Sequence, residues 1–234
     1  MLNAAAVIPT YNERENIGQL LERIYACVPD LHVWIVDDNS PDGTGNYAEQ
    51  LRSQYPGRLF VIHRERKTGF GQACIEGFSR TLAAGYDYIL QMDADLSHDP
   101  QCIPGFLKEV RSCDLVIGSR YVGGIRIMGW ALWRLILSSA GTWYVRRVTG
   151  MRLTDTTTGY LCWRALALKV IGIDRLFSNG YLFLVELKYK AFRQGLRIRE
   201  IPIVFYERRF GRSKLDWNIV LEALVGVFRL RLTR

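Results

Sequence analysis

The sequence lacks most of what would make it a zinc-cluster, secreted or membrane-spanning protein. It holds three histidines, no two of them at ligand spacing and none beside a CxxC pair. Its five cysteines (Cys27, Cys74, Cys102, Cys113, Cys162) are odd in number, scattered and free of any CxxC pair, so they read as reduced, packed thiols of a cytosolic protein rather than a disulfide frame. The amino-terminal MLNAAAVIPT has neither a basic segment nor a long apolar core, and no cleaved signal peptide is expected. No run reaches the roughly 18 apolar residues of a spanning helix. The nearest stretches, 127–145 and 219–228, are interrupted by Arg134 and Glu222. With no Ser- or Pro-rich linker, repeat or low-complexity segment to divide it, residues 1–234 are expected to form a single domain.

What is present is a 49% hydrophobic chain with a formal charge of +8, an excess that favours anionic partners such as phosphates, acidic lipids or nucleic acid. Short β-branched runs at Ala4–Pro9, Val33–Asp37, Leu59–His63, Tyr88–Met92 and Leu115–Gly118 alternate with helical patterns. The clearest helix places Ile17, Leu20, Leu21, Ile24 and Val28 on one face, with Asn12 and Glu15 at capping-box spacing before it. This alternation predicts an α/β fold with a mainly parallel central sheet. Ligands of such sheets bind beyond the carboxyl ends of the strands, where PTYNE (9–13), DDNSPDGT (37–44) and DADLSHD (93–99) fall. After residue 125 come an aromatic-rich helical stretch, the DTTTGY turn (155–160), a helix around 181–194, a strand from Arg199 to Phe205, the basic loop 207–214 and an amphipathic tail.

Two glycine patterns invite an oxidoreductase reading. Gly43, Gly45 and Ala48 fit G-x-G-x-x-A with Glu65 downstream, but they follow the second strand rather than the first; Gly69 and Gly71 are followed by Cys74 where a small residue is wanted. Both are taken as turn glycines, and His98 as a hydrogen-bonding loop residue. Arginines and aromatics interleave from Trp130 to Arg147, but helical spacing of Trp, Leu and Val points to packing, and nucleic acid is not an expected partner.

The acids of MDADLSHDP (92–100) pose a sharper question. Asp93 and Asp95, two apart at a strand end, would project together, and their carboxylates repel unless a cation or donor intervenes. An isolated DxD is common. Here it stands in order with VIPTYNERENI, VDDNSPDGT, the GFG turn, GSRYVGG, TTGY and RRFGRSKL, and with these motifs the chain resembles family 2 glycosyltransferases of the dolichol-phosphate mannosyltransferase type over nearly its whole length. The resemblance implies a GT-A fold with helices on both faces of the sheet: residues 1–124 bind the nucleotide sugar, and residues 125–234 supply the acceptor side and membrane-facing helices. It implies inverting transfer of mannose from GDP-mannose to polyprenyl (dolichyl) phosphate, with Mg²⁺ or Mn²⁺, by a peripheral protein on the cytosolic face of a membrane. A small membrane-protein partner belongs to the same expectation.

Residue by residue, the resemblance assigns Pro9, Tyr11 and Glu13 to the base, Val36 and Asp38 to base and ribose, and Asp93 and Asp95 to the cation and the sugar or ribose. Ser97 stands where some relatives place a metal-binding Gln. Arg120, Arg208 and Lys214 match basic residues that meet the donor phosphates, while Arg134 and Thr158 match the acceptor side. Arg120 and Arg134 follow apolar segments, where an unpaired guanidinium is costly, so an anionic partner is expected for each. The catalytic set is therefore Asp95, Arg120, Arg208 and Lys214. Rival readings are glucosyl transfer from UDP-glucose and, from another class, an inactive membrane-binding partner that keeps the fold. The tail from Leu215 to Arg234 spaces Trp217, Val220, Leu221, Leu224 and Phe228 on one face, which fits either a packed helix or one lying in a membrane interface.

Overall fold

A computed structural model of the protein describes residues 3–207 and 217–232, with the backbone alone for Tyr181 and residues 217–224. Along the chain, β1 (Ala4–Thr10) leads to α1 (Arg14–Cys27), β2 (His32–Asp37), α2 (Thr44–Leu51), β3 (Leu59–His63), α3 (Phe70–Ala83), β4 (Tyr88–Gln91), α4 (Ile103–Glu109) and β5 (Leu115–Ser119). Then come β6 (Ile127–Met128), α5 (Leu132–Thr149), β7 (Leu161–Arg164), α6 (Ala165–Ile171), α7 (Gly180–Arg193), β8 (Ile198–Pro202), β9 (Phe205–Tyr206) and α8 (Trp217–Leu232).

Seven strands form the central sheet in the order β3-β2-β1-β4-β7-β5-β8. All run one way except β7, which pairs antiparallel with both β4 and β5. A strand covered on both faces needs apolar side chains throughout rather than alternation, and every residue of β1 is buried. One face packs under α1 and α4 through Ile17, Leu20, Ile24 and Phe106; the other lies under α3 and α7 through Phe78, Phe183 and Leu187. A third cluster joins α5, α7 and α8 through Val145, Leu182, Val185, Val227 and Leu230.

Three expectations need correction. The capping box of Asn12 and Glu15 is not formed: α1 starts at Arg14 with Glu13 as its N-cap, and Asn12 lies outside it in a left-handed conformation (φ 60°). The strand at 199–205 divides, because β8 ends at Pro202 and β9 leaves to pair with β6. The antiparallel β7 was not anticipated; its four residues, LCWR, are too short to show a period. It matters because reversal of β7 brings the turn before it to the same sheet edge as the loops that leave β1, β2, β4 and β5.

Candidate active site

The first two edge loops are stitched together. Three successive backbone N–H groups of the first loop donate to side chains of the second: Asn12 to Ser40 Oγ (3.1 Å), Glu13 to Thr44 Oγ1 (2.9 Å) and Arg14 to Asp42 Oδ2 (3.2 Å). The open N–H groups at the start of α1 are thus satisfied from another segment, which explains why no local capping box is needed. Asp37 accepts from Thr10 Oγ1 and Ser40 N. Gly45, expected in a turn, lies in the first turn of α2, where a Cβ would stand 2.8 Å from Asp37 Oδ2, so it is a packing glycine. Asp38 is buried; its carboxylate takes Arg64 Nη1 and the N–H groups of Thr68 (3.2 Å) and Gly69 (2.9 Å), so it braces the GFG turn. Pro9 and Val36 are buried side by side in β1 and β2, and Lys67 Nζ lies 3.7 Å from the centre of the Tyr11 ring.

In the acidic loop, β4 ends at Gln91, so strand alternation does not reach the two acids. Asp95 is buried and its Oδ1 accepts from Ser97 N (3.1 Å) and Ser97 Oγ (2.5 Å), whereas the Asp93 side chain keeps 30% of its surface exposed. Between Asp95 and Ser97, Leu96 holds φ at 62° with its side chain buried in the core. A left-handed leucine costs about 1–2 kcal/mol, and core burial of its side chain holds it there. Asn12, Asn39 and Leu96 are the non-glycine residues of positive φ among those described, and each lies in a loop leaving β1, β2 or β4. His98 is buried under Tyr160, with ring centres 4.7 Å apart, and its Nδ1 accepts from Asp93 N at 3.0 Å. Burial lowers its pKa against the opposing pull of Asp93 and Asp95, so the ring is neutral with its proton on Nε2. The third acid, Asp99, pairs with Arg23 at 3.0 Å and caps the following helical turn through Gln101 N.

The turn before β7 faces this loop. Gly159 approaches Asp93 so closely that a Cβ would stand 3.2 Å from Oδ1. Asp155, fully buried, accepts from Arg120 N (3.1 Å), Nε (2.7 Å) and Nη2 (2.8 Å), and from the N–H groups of Thr157 and Thr158. Burial raises the Asp155 pKa, but the Arg120 guanidinium more than offsets this and holds the carboxyl below its ordinary range. Arg120 Nη2 also donates to Thr157 Oγ1 at 2.8 Å. The anionic partner expected for Arg120 is present within the chain itself, as Asp155. Arg134 likewise has a partner in Glu207 at 2.8 Å and lies 4.9 Å from the centre of the Trp130 ring. Thr158 is buried, its Oγ1 accepting from Tyr160 N. Arg208 and Lys214 lie outside the described residues.

Sequence reading passed over Asp155 and, more fully, Lys188. The latter is buried on α7 and donates to the carbonyls of Thr156 (3.0 Å) and Thr158 (2.7 Å). Its signal was a lysine at helical spacing with Leu184 and Ala191 on an apolar face.

Asp93 and Asp95 suit Mg²⁺ or Mn²⁺, hard cations that take one or two protein carboxylates and complete their shell with water and substrate phosphate oxygens. Among the described residues no group of three or more His, Cys, Asp or Glu side chains gathers to hold a metal.

The glycosyl transferase family 2 model matches residues 5–175. The chain is 44% identical over 228 residues to an undecaprenyl-phosphate mannosyltransferase of Micrococcus luteus, covering 97% of this chain and 93% of the relative. It is 40% identical over 222 residues to a polyprenol monophosphomannose synthase of Mycolicibacterium smegmatis, covering 94% of this chain and 84% of the relative. A dolichol-phosphate mannosyltransferase of Pyrococcus furiosus is 34% identical over 98% of this chain and 64% of its own. In fold the chain is similar to glucosyl-3-phosphoglycerate synthase from Mycobacterium tuberculosis, solved in complex with Mn²⁺, UDP and glucosyl-3-phosphoglycerate, with a TM-score of 0.70, 19% identity and coverage of 98% and 78% of the two chains. With a family match across most of its length and a GT-A sheet whose edge gathers the DxD acids, the chain belongs to glycosyltransferase family 2.

Proposed function

We propose that the protein transfers mannose from GDP-mannose to the phosphate of a polyprenyl phosphate, with inversion, at the cytosolic surface of a membrane. The observation that carries this reading is the 44% identity, across nearly the full length of both chains, to a mannosyltransferase acting on such a lipid. The site chemistry supports it. A phosphate monoester is largely dianionic at neutral pH, so the acceptor oxygen attacks C1 of the sugar without a general base. The C1–O bond to the diphosphate breaks, its electron pair leaves with GDP, and attack from the opposite face turns an α-linked donor into a β-linked lipid. The protein's share is alignment and charge stabilisation.

Asp93 and Asp95 would hold Mg²⁺ or Mn²⁺, which supplies positive charge to the departing diphosphate. Arg120, fixed by Asp155, acts with both acids on the same buried His98, and Arg134 would meet the acceptor phosphate in place of its exposed partner Glu207. Arg208 and Lys214 carry further positive charge to the phosphates by their match to the family. Tyr11, Glu13, Pro9 and Val36 line the nucleotide end, with Asp38 holding the GFG turn behind them.

The lipid reading has its own support. No described helix is long and apolar enough to cross a membrane. Yet Leu132, Trp133, Ile136 and Trp143 on α5, and Val225, Phe228 and Leu232 on the α8 packed beside it, are all more than half exposed. Arg146, Arg147, Arg229 and Arg231 lie in the last turns of these helices. Such a surface inserts aromatics into the acyl boundary and meets anionic headgroups with arginine. Incubation with polyprenyl phosphate, Mn²⁺ and either labelled GDP-mannose or labelled UDP-glucose tests the donor. Label in a β-linked lipid phosphate from GDP-mannose alone is expected; label from UDP-glucose alone would replace the reading, and label from neither would leave the inactive-partner reading.

A further inference from the structure

We propose that Lys188 is a positioning residue for transfer: from beneath the active site it fixes the turn that aims Arg120. This rests on the function proposed above and concerns a residue outside every motif of the site.

The turn runs against the usual rule that carbonyls find backbone partners. Thr156 and Thr158 present their carbonyls inward, toward α7, where Lys188 Nζ donates to both, at 3.0 and 2.7 Å. An ammonium offers three donors and no acceptor, so one side chain ties residues two apart. The residue between them, Thr157, is where Arg120 is held: Thr157 Oγ1 accepts from Arg120 Nη2, and Thr157 N donates to Asp155, the carboxylate that grips the same guanidinium. The three oxygens described for the guanidinium, two from Asp155 and one from Thr157, therefore lie within or next to the segment that Lys188 clamps. The far end of the clamp reaches the acids. Thr158 Oγ1 takes Tyr160 N, the Tyr160 ring stacks on His98, His98 takes Asp93 N, and Gly159 abuts Asp93 itself.

The charged groups facing Lys188 are Asp155 in the turn, Arg120 at the end of β5 and Glu200 on β8, whose carboxylate accepts from Thr154 N and Asp155 N. Two cations balance two carboxylates. Burial pulls the Lys188 ammonium down to about 7, with Asp155 and Glu200 opposing and Arg120 reinforcing the shift. Below that pH the lysine is charged and the cluster is balanced; above it the amine keeps two hydrogens but loses the charge that offsets the carboxylates. Turnover is accordingly expected to fall as pH rises through this value, opposite in sign to the acid limb set by the acceptor phosphate near pH 6.

The test pairs Lys188→Met and Lys188→Arg with the unaltered protein. Lys188→Met is expected to lower kcat about 10²-fold, the scale of a misplaced catalytic group, with GDP binding by calorimetry within about twofold. Lys188→Arg keeps its charge at every working pH and is expected to restore part of kcat and to lose the alkaline limb while keeping the acid one. Amide exchange of residues 154–160, which needs no substrate, should quicken in Lys188→Met. Should the arginine variant fail to fold, the methionine variant and the wild-type pH profile decide. Normal kcat in Lys188→Met, or unchanged exchange in the turn, would overturn the proposal. Absence of mannose transfer by the unaltered protein would instead remove the functional reading and leave the exchange result to judge the clamp.

Discussion

The sheet edge and the α5–α8 pair treat their side chains in opposite ways. At the edge, polar groups are spent on fixing the loops to one another: Ser40, Asp42 and Thr44 hold the first loop, Asp38 holds the GFG turn, and Asp155 holds Arg120. On the helix pair, large apolar groups such as Trp133, Trp143 and Phe228 are left in solvent. A preorganised edge suits charge stabilisation, which works best when donors are fixed before the reaction. An uncovered apolar face suits a partner that is itself apolar. Under the proposed function the contrast divides the work: the edge would handle the sugar diphosphate, and the helices would handle the lipid.

The largest effect should come from the edge. Asp95→Asn is expected to lower transfer about 10³-fold. Its melting temperature should stay within about 3 °C, because the amide oxygen can still accept from Ser97. Transfer assays beside thermal melts check both. Asp155→Asn breaks the contrast differently, since it weakens the anion that balances a buried guanidinium. Losses of that kind run to about 3–5 kcal/mol, so a fall in melting temperature of about 10 °C is expected by calorimetry. On the helix pair, Trp133→Ser with Trp143→Ser should weaken sedimentation with anionic vesicles about 10–100-fold, from the apolar area withdrawn, and leave GDP binding unchanged. The smallest effect belongs to Ser97→Ala. Loss of the Ser97 hydroxyl's hydrogen bond to the Asp95 carboxylate, worth about 1.5 kcal/mol, should slow turnover about tenfold. A far larger loss would give Ser97 a share in holding the cation.

Much of the edge was legible because its signals are local. The runs at Val33–Asp37 and Tyr88–Met92 carry their own burial, and the loop acids Asp38 and Asp93 follow them directly. His98 was correctly expected to be a hydrogen-bonding residue. What stayed hidden depends on distant partners. The caps of α1 come from residues about 30 positions away, as in the 28 that separate Asn12 from Ser40. The anion for Arg120 lies 35 residues on, and Lys188 reaches its carbonyls across 30 and 32. The antiparallel β7 that makes the last two contacts possible is four residues long. In the tail, the sequence offered a packed helix or an interfacial one, and α8 has features of both: Val227 and Leu230 are buried against α5 and α7, while Val225, Phe228 and Leu232 are exposed. The side chains of Trp217, Val220, Leu221 and Leu224 lie outside what is described.

The central claim is that sugar transfer at the sheet edge and lipid capture by the helix pair are separable parts of one reaction. It is tested most directly by measuring kcat/KM for mannose transfer by the Trp133→Ser, Trp143→Ser variant to two acceptors, water-soluble geranyl phosphate and a long-chain polyprenyl phosphate in vesicles. The expected result is a rate on geranyl phosphate within about twofold of the unaltered protein, with a loss of at least about tenfold on vesicles. Equal losses on both acceptors, or no loss on either, would contradict it.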